Sequence, residues 1–540
     1  MTMDFAALRE TAWDVVIIGA GMGGAVAGFM LAQAGKSVLF IEKGLTRSVR
    51  SLTGSYAEDF FTTEKIAGVQ HRPILAAAGR EWAALEDVSG KRPRRFVPFV
   101  GSGAGGSSAL FGMAMERFFP ADFAPRRNFP DATETTLPES WPITYEELAP
   151  YYARAETLFA LRGGMDPLCP SAPSALAEPP ALTAAGNELF GFLQDRGLHP
   201  YRLPMACEFV SGCACCQGYL CPQPCKNDSA RVCLDQAIEK HGAVLLDGCE
   251  VQHLEASRER VTAIPCTRNG RQFSVHGKVV LLAAGALVTP AILLRSASPT
   301  WPKGLANHSS LVGRNLMRHL IDLYILRPNT HEPSDNRRKE FAFNDFYTHQ
   351  GVKLGSVQSF GRLPPQGMLA AQLQADLGEM FGGSAASAFR IVKPMVKSVL
   401  KPMIERNLVL AGMLEDLPYA DNQVTPAPHG GIRFRYRLRD EARARMNLQR
   451  RLVTGTLHPY PMRLVKQAEN NERIAHACGT CRFGDNPTTS VLDRNNRAHE
   501  IENLYVVDSS FFPSSAGTNP ALTIAANALR VADGILAAWK

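Results

Sequence analysis

No run in the 540-residue chain reaches the roughly eighteen consecutive apolar residues of a membrane-spanning helix, so no such span is expected. Blocks of like charge are missing as well. The 58 basic and 51 acidic residues leave a formal net charge of +7 and lie spread along the chain, which argues against nucleic acid as a partner. There is no internal repeat, low-complexity tract or long linker, and this excludes solenoids, propellers and disordered arrays. Nothing at the start reads as an export signal, because the first apolar run follows the acidic MTMDFAALRE and is itself strand-like. A cytoplasmic, reducing compartment is therefore expected, with export in company with a partner left open. A chain of this length should form two intertwined domains around a large core.

The segment WDVVIIGAGMGGAVAGFMLAQAGKSVLFIEKG, from Trp13 to Gly44, predicts a strand, a glycine turn, a helix and a second strand ending on an acid. VVII lacks the alternation of a half-exposed strand, so it belongs inside a parallel sheet covered on both faces. Gly19, Gly21 and Gly24 form G-x-G-x-x-G, which makes a tight turn and lets backbone and a helix N-terminus face a pyrophosphate. Glu42 follows about twenty residues on, where a carboxylate can accept from ribose hydroxyls. A second glycine-rich stretch, GSGAGGSSALFGMAMERFFPADF, can lie flat against a cofactor through Gly105, Gly106, Ser107 and Ser108. In WPITYEELAPYYARAE, Thr144 with Glu147 three residues later signals a capped helix. Near the end, HACGTCRFG and GTNPALTIAANALRVADGI set His476 and Asn519 in two short turns suited to holding polar groups over a reactive ring.

Seven of the twelve cysteines fall between Cys207 and Cys233. A disulfide framework would usually span the fold, so thiolate ligation is the leading reading of this loop.

These motifs, with AAGALVTPAILLRS (Ala283 to Ser296) and LVGRNLMRH (Leu311 to His319), resemble the glucose-methanol-choline (GMC) flavoprotein oxidoreductases over nearly the whole chain. The resemblance implies an α/β fold, with a Rossmann-like FAD-binding domain built from 10–120, 225–320 and 470–540. It implies a discontinuous substrate domain over 121–224 and 321–469, whose antiparallel sheet roofs the flavin. It implies oxidation of a CH–OH group of an alcohol or sugar, with His476 as base and Asn519 hydrogen-bonding the substrate oxygen as a donor. Asp508, Pro520 and the amides after Asn519 are implied near the flavin, and Val251 near adenine. Some relatives attach flavin to a histidine in the glycine-serine segment; Ser107, Ser108 and Ala109 offer none, so FAD should be non-covalent.

Within the family, bacterial glucose and fructose dehydrogenases carry an iron–sulfur cluster held by a Cys-Cys pair and a further cysteine. Cys215, Cys216 and Cys221 resemble that pattern, with Cys225 as an accessory ligand of a 3Fe-4S or 4Fe-4S cluster. Such a cluster would pass electrons to a cytochrome or quinone. Disulfides or unligated cysteines, and a four-thiolate zinc site, stay as alternatives. His308, His319 and His499 are read as ordinary structural histidines. Finally, Lys393, Lys397 and Lys401 recur at helical spacing in FRIVKPMVKSVLKPMIER, a segment (389–406) that fits either a peripheral membrane contact or a lid over the substrate.

Overall fold

The computed structural model describes residues 11–46, 51–61, 71–169, 174–330, 338–361, 407–428 and 430–539; the basic segment 389–406 lies outside them. No helix of the described residues is long and apolar enough to cross a membrane.

As expected, WDVVII forms a central strand, Trp13–Ile18, with almost every side chain buried. It pairs in parallel with Gly277–Leu282 on one side and Val38–Ile41 on the other; Leu504–Val506 and Val244–Leu246 complete a five-stranded parallel sheet. The helix Met22–Gln33 starts at the glycine turn, and its small buried residues let it pack beside the long C-terminal helix Ala521–Ala537. The helix predicted after Thr144 runs Tyr145–Leu158: Thr144 Oγ1 accepts from the Glu147 amide at 3.2 Å, and Glu147 Oε2 accepts from the Thr144 amide at 2.8 Å.

A six-stranded antiparallel sheet forms the second layer, in the order Met462–Val465, Leu320–Leu326, Leu408–Leu414, Val357–Ser359, Phe341–Phe343, Tyr201–Arg202. Leu320, Asp322, Tyr324 and Leu326 alternate inward along its second strand, the period of two that a covered face requires. The helix Asp440–Leu457 covers that face, where Arg450 pairs with the buried Asp322 at 2.7 Å and Gln449 donates to the Met413 carbonyl at 3.0 Å. One apolar core fills the space around the parallel sheet, and another lies under the antiparallel one.

Candidate active site

The two sheets meet where segments far apart in sequence pair over a few residues. Met317 and Cys478 exchange backbone hydrogen bonds at 3.0 Å, and the His319 amide donates to the Ala475 carbonyl at 3.1 Å. This short ladder sets His319 beside His476. Arg318 secures it: the guanidinium donates to the carbonyls of Ala468, Asn470 and Arg473 at 2.9–3.0 Å, pinning the approach to His476. His476 itself sits in the left-handed region, φ 56°, a conformation that costs about 1–3 kcal/mol and persists only where the surroundings enforce it.

His319 Nδ1 lies 2.8 Å from His476 Nδ1, with the rings nearly perpendicular at 88°. His319 Nε2 faces the carbonyls of Ser515 and Ala516 at 3.1 and 3.0 Å, groups that can only accept. His319 therefore carries its proton on Nε2, its Nδ1 accepts from His476 Nδ1–H, and His476 Nε2 is left with a bare lone pair. Burial first, then the electrostatic influence of the neighbouring His319 and Lys339, holds His476 well below the usual imidazole pKa. His319, expected to be an ordinary structural histidine, is indeed buried and bonded at both ring nitrogens, and one of those bonds goes to His476. His308, paired with Glu500 at 2.6 Å, and His499, bonded to Ser490 at 2.8 Å, have the ordinary roles expected of them.

Asn519 is buried, and both hydrogens of its amide are committed, to Glu116 Oε2 at 2.8 Å and Gln358 Oε1 at 3.1 Å. Gln358 Nε2 also donates to Asn519 Oδ1 at 3.5 Å, so both ends of the amide are held by neighbouring side chains. Glu116 also accepts from Thr518 Oγ1 at 2.9 Å and from the Tyr201 hydroxyl. Glu116 and Gln358 were missed from sequence, since neither stands in a motif that points to Asn519. Lys339 is a further omission. A Cβ built on Gly112 would come within 2.8 Å of its Nζ, so the ammonium lies against that glycine-rich segment; burial pushes its pKa down to about 8.

The dinucleotide turn fits FAD. Gly19 has φ 103°, and a Cβ there would stand 2.4 Å from the Ala283 carbonyl, so only glycine serves. Gly21, by contrast, has open space: a Cβ would find nothing nearer than 4.0 Å, the room a pyrophosphate needs at the start of the helix. Gly24 packs on the Gly19 carbonyl, and Gly106 comes against Gly21. Glu42 accepts from the amides of Ala20, Gly44 and Gly103 at 2.8–3.0 Å, which fills three of a carboxylate's roughly four acceptor positions and leaves one for a ribose hydroxyl. Burial pushes its pKa up against the pull of those amides.

Other expected cofactor contacts separate. Ser107 is exposed and Gly105 has φ 81°, whereas Ser108 turns inward to Gly105 O and Ser229 Oγ at 2.7 and 2.8 Å. Asp508 is consumed: Gly285 N, Thr289 Oγ1, Ser510 N and Ser510 Oγ all donate to it, so its side chain clamps the strand ends together. Val251 is buried in the strand Cys249–Val251, and Pro520 caps the helix Ala521–Ala537. The Ser509 hydroxyl donates to the Ala477 carbonyl at 2.7 Å, and Gly479 N to the Ser509 carbonyl at 3.1 Å. The His476 loop is thereby tied to the carboxyl end of the parallel sheet, where such folds bind ligands.

The cysteine loop departs from expectation. Cys215 and Cys216 point apart, the first into the main core with Cys207, Cys213 and Cys225, the second into a patch with Tyr56 and Tyr219. The buried trio whose sulfurs all lie within 4.8 Å of one another is Cys207, Cys213 and Cys225, of which only Cys225 was among the four expected ligands. Neighbouring thiols, Cys207 first, push the Cys213 thiol far down.

Comparison with known proteins matches residues 198–321 and 418–528 to the two GMC oxidoreductase family models and residues 14–57 to an FAD binding domain. The chain is 29% identical to 6'''-hydroxyparomomycin C oxidase of Streptomyces lividus, over 97% of this chain and 92% of the relative. It is 26% identical to 2-methyl-1,2-propanediol dehydrogenase of Mycolicibacterium austroafricanum, over 97% and 95%. It is 24% identical to the fructose dehydrogenase large subunit of Gluconobacter japonicus, over 97% of each. In fold it resembles pyridoxine 4-oxidase from Mesorbium loti, with a TM-score of 0.64 and 19% identity over 98% of this chain and 100% of that one.

Proposed function

We propose that this chain, which belongs to the GMC oxidoreductase family, oxidises a primary or secondary CH–OH group of a small polyol, sugar or lipophilic alcohol with non-covalent FAD, using His476 as the base. The observation that carries the reading is the Nδ1-to-Nδ1 contact of His319 and His476, which leaves a bare nitrogen on His476. Bound at the turn Gly19–Gly24, FAD supplies the acceptor for the hydride leaving carbon.

The protein's own part is proton management. His476 Nε2 takes the hydroxyl proton, and the charge it gains is shared through the Nδ1–H bond to His319, whose far nitrogen is held by two carbonyls. A depressed pKa keeps His476 unprotonated at neutral pH and ready to accept. Asn519, fixed by Glu116 and Gln358, is the residue we assign to orient the substrate oxygen. We assign the protein to the cytoplasm, and let an external small-molecule acceptor or a quinone or cytochrome reoxidise the flavin directly.

Anaerobic stopped-flow reduction tests the base. His476→Ala should slow flavin reduction by about 10²–10⁴-fold while FAD stays bound. Reduction at the wild-type rate would remove His476 from the mechanism. A substrate panel read with both oxygen and an artificial acceptor identifies the alcohol and the acceptor class.

A further inference from the structure

We propose that Cys207, Cys213 and Cys225 bind a single zinc-class divalent ion that staples the cysteine loop to the glycine-serine segment. Thiolates around one ion at about 2.3 Å sit on a tetrahedron whose sulfur–sulfur edge is about 3.8 Å. Cys207 and Cys213 are 3.7 Å apart, and Cys213 and Cys225 are 3.3 Å apart, at or just inside that edge. In an iron–sulfur cluster each thiolate takes its own iron, with inorganic sulfide between the metals, so the protein sulfurs are splayed around the cluster rather than held in contact. The diverging side chains of Cys215 and Cys216 are a second misfit to the expected cluster.

Cys207, Cys213 and Cys225 are the sulfurs that lie within 4.8 Å of one another, whereas Cys221 touches Cys225 at 3.3 Å from a less buried position. Cys215 adopts φ 46° and Gly212 φ 74°, which folds the loop tightly enough for Cys213 and Cys215 to share a side. The Cys215 amide donates to Cys213 Sγ at 3.4 Å, an outer hydrogen bond of the kind that steadies a metal-bound thiolate. The three sulfurs belong to buried residues, away from competing solvent.

The consequence is mechanical. Lys226, next to Cys225, donates from Nζ to the carbonyls of Ala109 and Tyr219 at 2.8 and 3.0 Å, and the Ser229 amide donates to Ser108 Oγ at 3.0 Å. An ion on Cys225 thus holds the turn that carries Ser107 and Ser108, and conducts no electrons.

The test is elemental analysis of the full-length flavoprotein purified without chelators, with an assay for acid-labile sulfide. About one zinc per chain and no labile sulfide is expected, and protein grown on cobalt should show thiolate-to-cobalt charge-transfer absorption. Cys213→Ser should lose the metal, while Cys216→Ser keeps it. Iron together with labile sulfide, wild-type protein free of metal, or equal loss in Cys216→Ser would each overturn the assignment. If Cys213→Ser does not fold, the wild-type stoichiometry and the Cys216→Ser protein still decide. None of these readings depends on alcohol oxidation, so the proposed activity stands or falls separately.

Discussion

A histidine acts as a base only through the nitrogen that bears no proton, and here a second histidine chooses which one that is. His319→Leu removes the acceptor for His476 Nδ1–H and frees the ring to change tautomer. Flavin reduction should fall by about 10-fold or more with FAD retained, less than in His476→Ala. Lys339 acts through charge. Its ammonium is one of the influences that lower the His476 pKa, so Lys339→Met should let His476 stay protonated to higher pH. The acid limb of the reduction rate then moves up towards the ordinary imidazole value of 6.5, as a pH series of single-turnover rates would show. Stability carries the same sign. With its folded pKa depressed, His476 contributes fully above 6.5, and that contribution is lost as pH falls towards the folded value.

Among the elements, the turn Ser515–Asn519 depends on a buried support below it. The Ser356 amide donates to the Gly517 carbonyl at 2.9 Å, and Gly517 N donates to the Tyr347 hydroxyl at 3.0 Å, which in turn donates to Asp122 at 2.7 Å. Lys353 closes the group: it pairs with Asp122, lies 3.8 Å from Glu415 and stands 3.8 Å from the Tyr347 ring centre. Its side chain is only 1% exposed and that of Asp122 0%. Lys353→Met would leave the buried Asp122 carboxylate without its cation, which should cost about 3–5 kcal/mol in denaturant unfolding. Lys353→Met with Asp122→Asn should recover part of the loss, because a neutral amide need not be paired with a charge. The helix Tyr145–Leu158, by contrast, was readable beforehand, because Thr144 and Glu147 satisfy each other within one turn.

For the molecule as a whole, FAD would join the parallel sheet to the loops under the antiparallel one. Flavin stripped by acid should appear free in the supernatant, since Ser107, Ser108 and Ala109 carry no imidazole to hold it. Reconstitution should raise the melting temperature: ligand at about 100 times its Kd adds about 2.7 kcal/mol to a folded state that alone binds it. Flavin that stays with the precipitate, or a melting temperature indifferent to FAD, would contradict this.

Sequence alone determined the central strand, the glycine turn, the capped helix and the two turns holding His476 and Asn519. Each is written in residues close together, where periodicity, capping and glycine conformations act. Tertiary structure alone decided the partners. His319 and His476 are 157 positions apart, and Glu116 and Asn519 are 403 apart. Such pairs are chosen by how two sheets meet and which polar atoms are left to satisfy one another there. The sulfur grouping follows the same physics: the family resemblance set Cys215 and Cys216 on one cluster, but the backbone turn between them aims their side chains into different cores.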